Sequence, residues 1–348
     1  MADGKVTFTS LAWPRFDAIV DQAAPDGDHS NPWHKNQEGL LTYGPDFETL
    51  RRLLAVPLSI GAGVRTGVPA LALDVWLSYE LRRAGFDRDA TWPRPSHPRI
   101  LPAPISQLIQ KLGKTEGRWL SQRIARDSSI SGVTSSSASI LGKLYYKQVD
   151  VIMTGWATGP ELLISTKRMD ASFGRNAANR VEESYGDAKN LRQRHPLAAL
   201  GFVYGLSYKA TQTAPATVEW LKDLLGKLGE QDDAYHATAL LFIDEGDFEV
   251  AGTDEVDVTE DALADSGLMR REVAELPAEE AESSVDPDLN SAFWNVHIRD
   301  DEVPPELRVS SFLQKIVNRV LDGTPVTDHK EARRRRASAE SLASSDCE

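Results

Sequence analysis

Leu144-Tyr145-Tyr146-Lys147-Gln148-Val149-Asp150-Val151-Ile152-Met153, a return through Gly159-Pro160, and Glu161-Leu162-Leu163-Ile164-Ser165-Thr166-Lys167 form the stretch that decides the fold. Its β-branched and aromatic residues predict two strands, and the Gly-Pro pair predicts the turn between them. Side chains alternate along a strand, so Glu161, Leu163, Ser165 and Lys167 share one face while Leu162, Ile164 and Thr166 point to the other. With the turn centred near Ala157, Asp150 lies across from Ile164 or Ser165, within reach of the Ser165 and Lys167 positions. Glu161 is on the same face but on the order of 10 Å further along, too far to share a metal easily with Asp150.

Downstream, Ser172 to Asn176 reads as a loop and Ala177 to Arg194 as a charged helix carrying Arg180, Glu182, Glu183 and Asp187. Leu197 to Tyr208 is apolar, with Gly201 and Gly205, and reads as a buried strand. Pro215 to Leu228 reads as an amphipathic helix and Ala237 to Asp244 as a further strand. Upstream, Ile105 to Asp127 reads as one helix, with Trp119, Leu120 and Ile124 on its apolar face, followed by a serine-rich loop. Residues 1–100 read as a separate, mainly helical N-terminal domain, closed by the proline-rich connector Trp92 to Pro102. The core is expected over 103–246 plus 290–323. An acidic, flexible insertion is expected at 247–289 and a disordered tail at 327–348.

The chain has 348 residues, a net charge of −13 and a single cysteine, Cys347. That cysteine usage excludes a disulfide framework and a cysteine zinc cluster. No apolar run approaches a membrane span, and the opening Met1 to Lys5 lacks the layout of a secretion signal, so a cytoplasmic protein is expected. The negative total conceals segregation. Residues 103–214 carry 15 Lys+Arg against 8 Asp+Glu, whereas 232–288 carry 2 against 19. The segment around Asp150 and Lys167 is therefore locally basic, as a nucleic-acid partner requires. No pair of histidines falls at HxH or HxxxH spacing, and no GxSxG or P-loop motif occurs.

Asp150, the hairpin and Ser165-Thr166-Lys167 resemble the PD-(D/E)xK core of restriction-endonuclease-like nucleases. In most members an acid stands two residues before the lysine. Here that residue is Ser165, as in a subset of type II restriction enzymes that take the acid from the following helix, and Glu182 and Glu183 lie 15 and 16 residues after Lys167. The resemblance implies an α/β fold, an α/β/α core with a mixed central sheet, and a metal-dependent DNA endonuclease of restriction or anti-phage defence. Asp150 with Glu182 or Glu183, and Glu161 as a more remote candidate, would hold Mg²⁺, with Mn²⁺ able to substitute; hard oxygen ligands suit both. Lys167 would stabilise the anionic transition state and Ser165 would hydrogen-bond a metal water. Arg168, Arg175, Arg180, Lys189, Arg192 and Arg194 would contact DNA phosphates, and Glu116 is a further carboxylate on the preceding helix. A homodimer or a subunit of a defence complex is the expected assembly, with no membrane partner. The competing expectation is a catalytically inactive, DNA-binding subunit of such a complex, which the departure at Ser165 keeps open.

Overall fold

The computed structural model describes residues 7–126, 139–230, 234–246 and 287–341. The chain opens with α1 (Phe8–Ala23), the small hairpin β1 (Trp33–Lys35) and β2 (Leu41–Tyr43), then α2 (Phe47–Ser59) and α3 (Val68–Arg83). Thr7 and Ser10 close a reciprocal capping box on α1, and the Asp46 carboxylate caps α2 by accepting from Thr49 N–H at 3.0 Å. Next come β3 (Thr91–Trp92), α4 (Ala103–Lys111), α5 (Lys114–Arg126), β4 (Ser139–Leu141), β5 (Tyr146–Gln148), β6 (Val151–Gly155) and β7 (Gly159–Met169). They are followed by α6 (Phe173–Arg194), β8 (Ala199–Ser207), α7 (Lys209–Thr213), α8 (Pro215–Glu230) and β9 (Ala237–Asp244). The last elements are α9 (Pro287–Asn295), β10 (His297–Ile298), α10 (Val309–Gly323) and α11 (Lys330–Ser341).

The main sheet has six strands in the order β10-β9-β8-β7-β6-β3. The β7–β8 and β8–β9 pairs are parallel, and the remaining pairs are antiparallel. The fold is therefore α/β with a mixed sheet. Helices cover both faces, which explains why β8 and β9 read as nearly continuous apolar runs. On one face Ile164, Val203, Ala239 and Leu241 share a core with Phe16, Leu54, Leu73, Trp76 and the α10 residues Phe312 and Ile316. On the other, Leu163, Phe202, Tyr204 and Phe242 pack against Val181, Ala188 and Leu191 of α6 and Leu221 and Leu225 of α8.

Five expectations change. The loop expected at 172–176 is largely helix, since α6 already begins at Phe173. The first hundred residues, expected as a separate domain, share a core with the sheet: residues of α1, α2 and α3 pack in one cluster with Ile164, Val203 and Leu241, and α3 is buried along nearly all its length. The single helix expected at 105–127 is α4 and α5, broken around Gly113, and Trp119 is 65 % exposed. The strand expected over 144–153 is divided into β5, which pairs with β4, and β6, which joins the main sheet. The tail expected to be disordered from 327 contains α11. Its Ala332 is fully buried, and Arg335 donates to the carbonyls of His29 and Arg83 at 2.7 and 3.0 Å. The acidic stretch 247–286 lies outside the described residues.

Candidate active site

Register places the first candidate. Val151 pairs with Ile164, so Asp150 stands beside Ser165, just beyond the end of β6. There the Asp150 carboxylate accepts from Thr166 N–H at 2.7 Å, continuing with a side chain the ladder that β6 no longer supplies. Alternation then sends Ser165 and Lys167 to the α6 face, only 8 % and 9 % exposed, and Thr166 to the α3 face, where its hydroxyl donates to Asp74 at 2.6 Å.

Helix α6 brings the second group. Its buried positions Ala177, Val181, Ser184, Ala188 and Leu191 recur every three or four residues and lie on the sheet. That phase turns Glu183 towards the strand face and leaves Glu182 exposed. Lys167 Nζ is 3.9 Å from Glu183 Oε1, so two elements that meet only in the tertiary structure bring these groups together. One turn further along, Asp187 is 5 % exposed and beside Glu183.

The hairpin β4–β5 supplies groups that the sequence did not single out. Lys147 Nζ lies 2.6 Å from Asp187 Oδ2 and 3.4 Å from Glu183 Oε1. The Tyr145 hydroxyl donates to Asp187 Oδ1 at 3.0 Å. Asn190 fixes the turn of this hairpin, accepting from Leu144 N–H at 2.8 Å and donating to the Tyr145 carbonyl at 3.1 Å. His195 Nε2, 3.0 Å from the Leu141 carbonyl oxygen, ties down its other arm. Tyr235 completes the group. It stacks on Phe202 and donates to the Ser184 carbonyl at 2.9 Å. Burial, then the charges of Asp187 and Asp150, hold its phenol well above the usual tyrosine range. Asp187 was available to inspection as the i+4 neighbour of Glu183. Lys147 and Tyr235 carried no comparable signal.

Other predicted residues lie elsewhere. Glu161 is at the far end of β7, where Thr158 donates to it and His329 Nε2 lies 2.8 Å away, so it does not join Asp150. Arg168 points to the opposite face from Lys167 and is 8 % exposed; it is paired with Asp170 at 2.8 Å and with Glu245, so it does not share the face of Lys167 and Glu183. Arg192 is half-buried and donates to the Ala234 carbonyl at 3.2 Å, and Lys189 lies 4.7 Å from the centre of the Tyr185 ring. Arg180 is half-buried, Arg194 is exposed near the C-terminus of α6, and Glu116 is exposed on α5. Arg175 is in α6, its side chain outside the described ones.

The donor chemistry suits a hard divalent cation. Mg²⁺ is commonly held by one or two carboxylates with water in the remaining positions, and Asp150 and Glu183 offer carboxylates on one face. No three His, Cys, Asp or Glu side chains form a ready-made cage among the described residues. Two lysines lie among these acids, so the cluster is close to electrically balanced without a metal. Among the described residues no helix is long and apolar enough to cross a membrane. Compared with protein-family models, curated proteins and solved structures, the chain matches none.

Proposed function

We propose that this chain is a metal-dependent endodeoxyribonuclease with a restriction-endonuclease-like core, acting in restriction or defence against foreign DNA. The observation that carries the reading is the 3.9 Å approach of Lys167 to Glu183, with Asp150 beside Ser165 on the same sheet face. A carboxylate pair with a buried lysine is what phosphodiester hydrolysis asks of a protein: oxygen ligands for a cation and a fixed positive charge for the transition state. Asp150 and Glu183 would hold Mg²⁺, which supplies Lewis acidity at the phosphate and lowers the pKa of water. Lys167, held by a central strand, would stabilise charge developing on the phosphoryl oxygens. Arg180, Lys189 and Arg194 on α6 would position the DNA backbone without reading its sequence. Cutting both strands calls for two such sites, hence a homodimer.

A second reading has its own observation. Lys147 and Lys167 already lie beside Glu183, and Ser165 stands where most relatives of the proposed family carry an acid. A site balanced in this way suits a nuclease-like subunit that binds DNA and does not cut it. Incubation of supercoiled plasmid with Mg²⁺, with Mn²⁺ and with EDTA separates the two. Nicking or linearisation that requires the metal and falls by about a hundredfold or more in Lys167→Ala and Asp150→Ala supports the nuclease. Salt-sensitive DNA binding with no cleavage under either metal supports the subunit. Neither binding nor cleavage overturns both.

A further inference from the structure

Lys147 is placed unlike Lys167. Lys167 belongs to β7, inside the main sheet, where it pairs with Tyr204 of β8 and is only 9 % exposed. Lys147 belongs to a two-stranded hairpin outside that sheet, and its main chain is held against α6 by Asn190 and His195. Its side chain ends between Asp187, at 2.6 Å, and Glu183, at 3.4 Å. A flexible four-carbon stem on an anchored backbone lets the ammonium leave these carboxylates without the hairpin leaving the helix.

We propose that Lys147 is a built-in placeholder cation: in the metal-free protein its ammonium occupies the α6 carboxylates, and it yields Glu183 when a divalent ion binds. The inference rests on the nuclease reading, for which it names a form of regulation. Two carboxylates side by side on a helix repel each other, and a cation lying between them offsets that repulsion. The placeholder keeps the site assembled while empty and makes metal entry a competition between two cations for one side chain. Released, the ammonium remains near the same face, where the negative charge of a DNA phosphate would be its next partner. Tyr145 donates to Asp187 Oδ1, the oxygen that Lys147 does not contact at 2.6 Å, and keeps that carboxylate oriented throughout.

The test is Mn²⁺ binding to the full chain, followed by the electron paramagnetic resonance of the free ion, with plasmid cleavage measured in parallel. Lys147→Met removes the competing charge and keeps most of the stem; Lys147→Gln is the second variant should Met impair folding. The placeholder predicts Mn²⁺ bound about tenfold more tightly in either variant, the factor that about 1.4 kcal/mol produces. Lys147→Arg retains wild-type affinity or binds more weakly, and Glu183→Gln loses the ion. Unchanged or weaker Mn²⁺ binding in both neutral variants, with metal-dependent cleavage intact in the wild type, overturns the placeholder and leaves the nuclease standing. A wild type that neither binds Mn²⁺ nor cleaves overturns the two together.

Discussion

Single residues carry two consequences that stability measurements can read. His236 is half-buried, and its Nδ1 accepts from Leu200 N–H at 2.9 Å, which requires the neutral ring. Burial, reinforced by Arg192 and Arg319, lowers its pKa from 6.5 to about 4. Between those values the unfolded chain binds more protons than the folded one, so the contribution is complete above pH 6.5 and is lost as the pH falls towards 4. Urea midpoints measured across that window should decline, and His236→Asn should flatten the decline; His29, lowered to about 4 mainly by its burial, adds to the same slope. Glu80 is fully buried and accepts from Arg83 at 2.8 and 2.9 Å, from Tyr43 at 3.1 Å and from Asp46 N–H at 2.7 Å. Glu80→Ala leaves Arg83 enclosed without its carboxylate and should cost about 3–5 kcal/mol in chemical denaturation; a loss below about 1 kcal/mol would show the pair to be dispensable. At this scale the sequence was informative where a strand sets direction. Turn position narrowed the partner of Asp150 to Ile164 or Ser165, between which the register decides, and alternation alone separates Arg168 from Lys167. The choice between Glu182 and Glu183 was not legible, because the rotation of α6 is set by which of its faces packs on the sheet.

At the scale of elements, close approach and anchoring decide what is tolerated. A methyl group on Gly201 of β8 would lie 2.7 Å from Phe312 Cζ and 3.3 Å from Ile164 Cγ1. Gly201→Ala should therefore lower stability by about 1–3 kcal/mol, seen as an earlier thermal transition. The β4–β5 hairpin depends on Asn190, so Asn190→Ala should accelerate amide exchange over 139–148 while β7 and β8 keep their protection. Equal protection in the variant would show that the hairpin is held by other contacts. Strands β7, β8 and β9 and helices α6 and α8 were all legible, since each has a clear period or an apolar run. The division of 144–153 into two strands was not, because both halves are equally β-prone and the break between them comes from which neighbour each half finds. Helix α11 was not legible either. Its stretch is polar, and what holds it is two buried alanines, Ala332 and Ala339, and arginines that donate to main-chain carbonyls, which no hydrophobic pattern records.

At the scale of the whole molecule, distant parts of the chain are fastened together. Lys35 Nζ donates to the Glu340 carbonyl at 2.7 Å across 305 positions of sequence, and Asn31 donates to the Arg335 carbonyl at 2.9 Å. Gly85, at φ 99°, admits the main chain of Ala332 so closely that a Cβ would lie 2.7 Å from its nitrogen. Gly85→Ala should detach α11, and proteolysis should then cut within 324–341 in the variant before it does in the wild type. The first hundred residues were read as independent because their helices are complete in themselves; what the helices lack is the other half of a core. Phe16, Leu54, Leu73 and Trp76 are covered by residues from β6 onwards and by α10. During synthesis this layer leaves the ribosome before the surface that shields it exists. About 240 residues separate Arg83, the end of α3, from Gly323, the end of α10, and at about 5–20 residues per second the apolar face waits on the order of 10–50 s, an interval in which a chaperone would be its natural cover.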